Sequence, residues 1–501
     1  MTDTSRDDVL PRTLRNLYLA LAIVAIAPVW SAQYLPTADG PSHLYNSWVL
    51  RELIGGRNTI LAQAYAIDWR PHPNWSGHVV LALLMTLVPP LVAEKLLMSG
   101  IVLLFLYAIW RYCGTLGDEG RAFAFLAFPF AYHLPLQMGF YNFSIGVALY
   151  FLILAVWWDR RDRPDARTIT TIAALLLLCY FSHVMPAILA AGSIGLLCLA
   201  TLPGRRMAAH ARHLIALLPL VPLVVWFART QGMTLTPGPW SLMGHFGYVE
   251  QMWVILTFDQ YQARLGFALF VALAVLIVVT FVRRRWQWRE GDAFIFLTMV
   301  IIAIYLRAPD MTSGGTMVLT RMALFVVLSP LVWLAPRLPR RVTAALVVLF
   351  ALVSIGYSGY LVRRYRGLSR RTRELVQAAA PLGRKATMLP IVRDVRPPGS
   401  FVPSLAHAID YAILEKGDVD IATYEAGLGY FPVMFRPGVL LPEATALQSQ
   451  STAIDFGPLA VRAEYLFTWH LPQDAPIKAE IDKFYVDTGG GEGGRVYRVR
   501  R

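Results

Sequence analysis

Apolar residues dominate the chain from residue 15 to residue 362, and an ordinary mixed pattern follows. A spanning helix needs about 20 apolar residues. Runs of that kind fall at 15–34, 92–112, 121–138, 142–158, 168–184, 186–202, 211–229, 265–282, 291–307, 316–335 and 342–362. They predict an all-α polytopic membrane bundle of about eleven transmembrane helices. One more apolar stretch, 77–90, is short and ends at Pro89-Pro90. The pattern changes at Arg363-Arg364-Tyr365-Arg366, which divides the chain into a membrane domain, 1–363, and a soluble domain, 364–501. In the soluble part, Thr387–Val392 reads as a strand, Ala406–Leu414 as a helix, and Phe431–Phe435, Val439–Leu441 and Tyr465–Trp469 as short strands. Lys483–Val486 and Arg495–Val499 read as a hairpin turning at Gly489-Gly490-Gly491. The expectation is a small α/β domain.

Arginine placement orients the bundle. Short basic loops occur at Arg160, Arg161, Arg163 and Arg167, at Arg205, Arg206 and Arg212, at Arg283, Arg284, Arg285 and Arg289, and at Arg337, Arg340 and Arg341. The positive-inside rule puts these on the cytoplasmic side, together with the N-terminus and its Arg6, Arg12 and Arg15. An even number of spans must then precede residue 160, so 77–90 is expected to lie at the interface or re-enter rather than cross. The outer loops become 35–91, 139–141, 184–186, 230–264 and 308–315, and the C-terminal domain is extracytoplasmic. The first apolar run carries no signal-peptide cleavage pattern and reads as a retained helix.

Composition sharpens this. The chain of 501 residues is 56% hydrophobic, above the roughly 45–50% of soluble domains. Its net charge of +14 sits mostly in the short loops, so it reports topology and not nucleic-acid binding. Cys113, Cys179 and Cys198 lie in or beside apolar runs and form neither a disulfide framework nor a thiolate metal site. No P-loop motif is present, so the chain carries no recognisable ATPase signature.

Candidate chemistry gathers at the outer face. The first outer loop opens Thr37-Ala38-Asp39-Gly40-Pro41-Ser42-His43. Gly40-Pro41 starts a helix, and Asp39 is either its cap or a carboxylate at the bilayer edge that takes a proton from an attacking hydroxyl. His43, one turn on, shares its face. The pair fits cation binding, substrate orientation or a local hydrogen bond. Two ligands fall short of the three that protein metal sites use, so no metal is assigned and a divalent cation stays open. His133, Gln137 and Asn142 interrupt apolar sequence at a tight outer connection, either lining a cavity or satisfied within a hairpin. His183 ends a span beside Pro186. Arg321 lies inside the run that follows Asp310, where a cation either faces a phosphate partner or snorkels. Trp240 and Tyr248, in the aromatic loop 230–264, fit sugar stacking or an interfacial belt. In the tail, His407, Tyr411 and Glu425 are acceptor-contact candidates that fit core or surface roles better.

A retained first helix, an acidic residue opening a long outer loop, an interfacial segment before the second span, and an outer C-terminal domain resemble the GT-C glycosyltransferases. The nearest branch is that of bacterial protein mannosyltransferases and the lipid A aminoarabinose transferase. The resemblance covers most of 1–362 as architecture. It implies an inverting glycosyltransferase of the cell envelope, in the bacterial inner membrane, taking a sugar from a polyprenyl-phosphate donor. The acceptor would be an extracytoplasmic glycan, lipid or protein. Asp39 would be the general base, and Arg321 would neutralise the leaving phosphate. The family often pairs two acidic residues where this loop has Asp39 followed by Gly-Pro-Ser-His. Two other classes fit a polytopic chain: a lipid-linked glycan flippase, and a non-catalytic assembly scaffold.

Overall fold

The computed structural model describes residues 9–56, 59–201, 211–231, 241–284, 289–310, 316–334, 338–444, 454–472 and 474–500. Trp240 and the basic residues Arg6, Arg205, Arg206, Arg285 and Arg337 lie outside the described residues, as does the stretch 311–315 of the expected outer loop.

The protein is mostly helical. Among the described residues, five helices are long and apolar enough to cross a bilayer: Arg12–Ser31, Pro90–Cys113, Tyr141–Arg160, Gln260–Arg283 and Arg340–Ala378. Ala211–Leu217 and Leu220–Gln231 form a pair bent by 45°, which would make a sixth as one broken span. Ala166–Ser182, Val184–Ala200 and Val318–Trp333 are apolar but shorter. These helices overlap runs read from the sequence, most starting or ending a few residues beyond them, and the runs differ in form. The run at 121–138 is a 3₁₀ helix, Asp118–Tyr132, with Pro129 inside it, where the missing N–H and the ring oppose α-helical bonding. The run at 342–362 continues to Ala378 in a helix of 39 residues, about 58 Å at 1.5 Å per residue. That is roughly twice the hydrocarbon thickness.

The chain divides into two compact units. The first contains 1–28, 99–136 and 141–362. Its centre is the helix Tyr141–Arg160, buried along most of its length. Tyr150 and Phe151 pack edge-on at 4.9 Å, and Phe325 meets Tyr150 at 4.8 Å. Such offset aromatic pairs are worth about 0.5–1.5 kcal/mol beyond their area.

The second unit joins 29–98 and 137–140 to 363–501. Its helix α1 (Gly40–Gly55) has Pro in its first turn and ends at Gly56, whose φ of 62° lets its N–H reach the Glu52 and Leu53 carbonyls. Nearly every face of α1 is buried, apolar Leu44, Tyr45 and Val49 alongside polar Ser42, His43, Asn46 and Ser47. Buried polar groups need partners, and the tail supplies several. The Tyr45 hydroxyl donates to the Asp418 carbonyl at 3.0 Å, and the Asn46 amide donates to the Thr423 hydroxyl at 3.2 Å. Strand β1 (Tyr65–Ile67) pairs antiparallel with β4 (Val433–Phe435), Tyr65 opposite Phe435. The second apolar helix of this unit, α2 (Ser76–Leu84), buries His78 and Leu81 and exposes Val79, Val80 and Leu83.

A mixed five-stranded sheet has the order β3-β2-β5-β7-β6. β2 (Thr387–Val392) runs parallel to β3 (Val419–Asp420) and to β5 (Tyr465–Trp469), while β7 (Gly494–Val499) is antiparallel to β5 and to β6 (Tyr485–Gly491). The expected strand at 439–441 is a turn region, and the expected helix at 406–414 is α3 (Asp410–Lys416). The hairpin turns at Glu492-Gly493, not at the three glycines, which lie inside β6. A side chain on Gly490 would strike the Gly494 carbonyl opposite, so the glycines permit close pairing instead of reversal.

Candidate functional site

Asp39 precedes α1 but does not cap it: its side chain makes no capping hydrogen bond. Its backbone is fixed from outside the helix. The Ala38 and Asp39 N–H groups donate to the Gln137 and Met138 carbonyls at 3.3 and 3.0 Å. The next residue of that segment, Gly139, has a φ of +87°, and a Cβ there would lie 2.8 Å from the Asp39 nitrogen and closer still to that of Gly40. Glycine is therefore what lets the connection lie against Asp39. Gln137 is held through its Oε1, which accepts from the Tyr365 hydroxyl at 2.9 Å.

The Asp39 carboxylate is 19% exposed, and Oδ1 lies 3.8 Å from His407 Nε2. Burial lifts it above the ordinary carboxylate value; His407 and His43 pull it back, Glu425 pushes it up again, and a Tyr424 hydrogen bond lowers it. His407 itself is lowered by burial, against the pull of Asp39, and its ring lies 4.9 Å from that of Tyr424. A carboxylate made more basic than a free aspartate by burial suits proton abstraction.

One turn into α1, His43 Nδ1 meets Glu425 Oε1 at 3.0 Å, and His78 Nε2 meets Glu425 Oε2 at 2.7 Å. All three side chains are buried. Burial alone would raise the Glu425 carboxyl, but the two imidazoles hold it well below the usual carboxylate range. Burial alone would lower His43, and Glu425 outweighs it, leaving the imidazole above its ordinary value. Among the described residues these three form the one group of metal-ligating side chains that converges, their donor atoms all within 4.8 Å of one another.

The other sequence-predicted residues lie in the first unit. Arg321 places a guanidinium nitrogen 3.4 Å from His183 Nε2, and its charge lies 5.5 Å from the Phe143 ring centre. His183 caps the helix Val184–Ala200, its Nδ1 accepting the Met185 N–H at 3.2 Å. An Nδ1 that accepts leaves the hydrogen on Nε2 in neutral imidazole. Nε2–H and the Arg321 N–H groups are then donors facing one another. Tyr248 bonds to the Thr320 hydroxyl beside Arg321 and stacks on Trp253 at 5.5 Å. His133 accepts the Leu136 N–H at 3.1 Å, a local turn role, and Asn142 is buried at the start of its helix. The candidates thus form two groups: Asp39, His43 and Gln137 in one unit, His183, Arg321 and Tyr248 in the other.

No protein-family model matches the sequence, and no curated protein does. Solved structures do. ArnT from Cupriavidus metallidurans in the apo state is similar over 96% of this chain and 97% of its own, with a TM-score of 0.55 at 12% identity. The same protein bound to undecaprenyl phosphate matches over the same shares, with a TM-score of 0.54 at 12% identity. The chain shares the fold of these ArnT structures. With its long apolar helices it is an integral membrane protein.

Within this fold, the residue that the sequence does not single out is His78. It sits in an apolar stretch, Gly77-His78-Val79-Val80, of the segment expected at the interface. A single polar residue buried in an otherwise apolar helix was the available signal. Glu425 was read as a core or surface residue; it is in the core, and it joins His43 to His78 there. Tyr411 donates to Glu94 Oε2 at 2.9 Å, a structural contact.

Proposed function

We propose that the chain is an inverting GT-C glycosyltransferase that moves a sugar from a polyprenyl phosphate to an extracytoplasmic glycan, lipid or protein. The observation that carries this reading is the Asp39 carboxylate. It is unused by the helix it precedes, pinned through its backbone by the Gly139 segment, and flanked by His407. Asp39 takes the proton of the acceptor hydroxyl as that oxygen attacks the anomeric carbon. The bond from that carbon to the donor phosphate breaks, and the phosphate leaves with the electron pair. Phosphate is a competent leaving group, so no strong acid is needed. The facing donors of His183 and Arg321 would suit phosphate oxygens, because an acceptor anion satisfies both. The bound undecaprenyl phosphate of the similar ArnT structure supports the donor class. His43, Gln137, Tyr248 and Trp240 would orient substrate groups. The N-terminus would be cytoplasmic and residues 364–501 extracytoplasmic, in a bacterial inner membrane. Because residues 29–98 fold with the tail, both would face the same side.

The test is transfer from a radiolabelled polyprenyl-phosphate sugar by purified wild type and Asp39→Asn, with envelope extract as acceptor source. A general base contributes about 10²–10⁴-fold, so the variant should slow by that factor while keeping its unfolding midpoint. Unchanged transfer would remove the role given to Asp39.

A further inference from the structure

We propose that His43, His78 and Glu425 bind one divalent transition-metal ion of the zinc class. This does not rest on the transfer reading; it rests on three buried donor atoms that converge within 4.8 Å and on which nitrogen of His78 faces the others. His78 Nδ1 lies 3.0 Å from the Asn74 carbonyl oxygen. A carbonyl only accepts, so Nδ1 carries the hydrogen and donates. In neutral imidazole Nε2 then presents a lone pair, and it faces the Glu425 carboxylate at 2.7 Å. A lone pair and an anionic oxygen at that distance need a positive centre between them, which is either a proton shared across the pair or a metal ion. A ligating histidine that donates its other N–H to a backbone carbonyl is the usual outer arrangement of a metal site, because that bond fixes tautomer and ring orientation.

The other donors converge on the same point. Glu425 presents Oε1 to His43 Nδ1 at 3.0 Å, and the two imidazole rings stand edge to face with centres 5.1 Å apart. At metal–ligand bonds of about 2.0–2.1 Å, tetrahedral ligands lie about 3.3 Å apart. The His43–Glu425 separation of 3.0 Å therefore needs to open by about 0.3 Å and the His78–Glu425 separation of 2.7 Å by about 0.6 Å, which side-chain rotation supplies.

The donor set selects the ion. Two imidazoles and one carboxylate are a zinc-type set, with a fourth position for solvent oxygen. Calcium and magnesium prefer all-oxygen shells, and copper(I) prefers the thiolates and thioethers that this cluster lacks. The ion would tie α1, α2 and the tail helix α4 (Tyr424–Leu428) together one turn from Asp39.

The test uses the full-length chain in detergent, with any affinity tag removed, stripped with chelator, reloaded with Zn²⁺ and desalted. Elemental analysis should find about one zinc per chain, as a single site requires. Zinc should raise the unfolding midpoint of wild type but not of His78→Ala or Glu425→Gln, whose zinc content should fall at least about tenfold. Should those variants fail to fold, His78→Cys loaded with Co²⁺ decides: a thiolate-to-cobalt charge-transfer band appears only if position 78 is a ligand. Zinc below about a tenth of an equivalent in folded wild type overturns the proposal. So does undiminished zinc in folded variants, or a cobalt-loaded cysteine variant without the band.

Discussion

The two units present opposite electrostatic problems. In the unit that contains the tail, His78 Nε2, whose partner Nδ1–H is spent on the Asn74 carbonyl, faces the Glu425 carboxylate. In the bundle unit, imidazole and guanidinium N–H donors face one another at His183 and Arg321. The first arrangement calls for a cation and the second for an anion. In both, the deciding fact is the outer bond of a histidine, to the Asn74 carbonyl in one case and from the Met185 N–H in the other. The tautomer set by a backbone group thus determines which sign of charge each cluster accepts.

The largest effect that bears on this contrast should come from Asp39→Asn, a loss of about 10²–10⁴-fold in transfer, or about 3–5 kcal/mol. Next is Arg321→Ala, with a loss of about 10²–10³-fold if the donor pair grips a charge that develops on the leaving phosphate. Arg321→Lys should recover only part of it, since a point charge does not reproduce the planar fork. Full recovery in steady-state kinetics would contradict a bidentate grip.

Gly139→Ala should lower stability by about 1–3 kcal/mol, through its positive φ and the displacement of Asp39. It should also reduce transfer, and thermal unfolding read beside the assay separates the two effects. A variant as stable and active as wild type would show that the connection does not hold the carboxylate.

The smallest effect concerns Asp410. Its carboxylate is buried, and both oxygens lack a hydrogen-bond partner among the described residues. Burial raises it well above the ordinary value, and Asp420 adds to the rise. A carboxyl raised on folding contributes its stability fully below the unfolded value of about 4 and loses it as pH rises through the folded value. Asp410→Asn should therefore gain roughly 1 kcal/mol or more over wild type above that window and nothing at pH 4. Unfolding midpoints measured from pH 4 to 8 check this, and a gap that shrinks with rising pH would contradict it.

Much of this architecture was legible in the sequence because it is written locally. Gly40-Pro41 marks the start of α1, and the β-rich runs at Thr387–Val392 and Tyr465–Trp469 are strands with the expected bounds. Apolar runs located the long helices, but hydropathy does not distinguish an α-helix from the 3₁₀ run around Pro129. Nor does it tell where a helix ends once charged residues keep it soluble beyond the bilayer, as at Arg363–Ala378. The cluster around Glu425 was not legible, since its members come from widely separated segments and only the tertiary fold brings them together. Asp39 stood out because it opens a loop; His78 is hidden because its neighbours are apolar.

The pairing of β1 with β4 closes a strand from near the beginning of the chain against one made close to its end. Translation proceeds at about 5–20 residues per second, so roughly 20–80 s separate the emergence of Asp39 from that of Glu425. Throughout that interval the nascent polypeptide carries Asp39 without His407 and Tyr424, the tail residues that flank it. Completion of this unit is thus deferred to the last stage of biogenesis, and a product truncated before the tail would lack both β4 and Glu425.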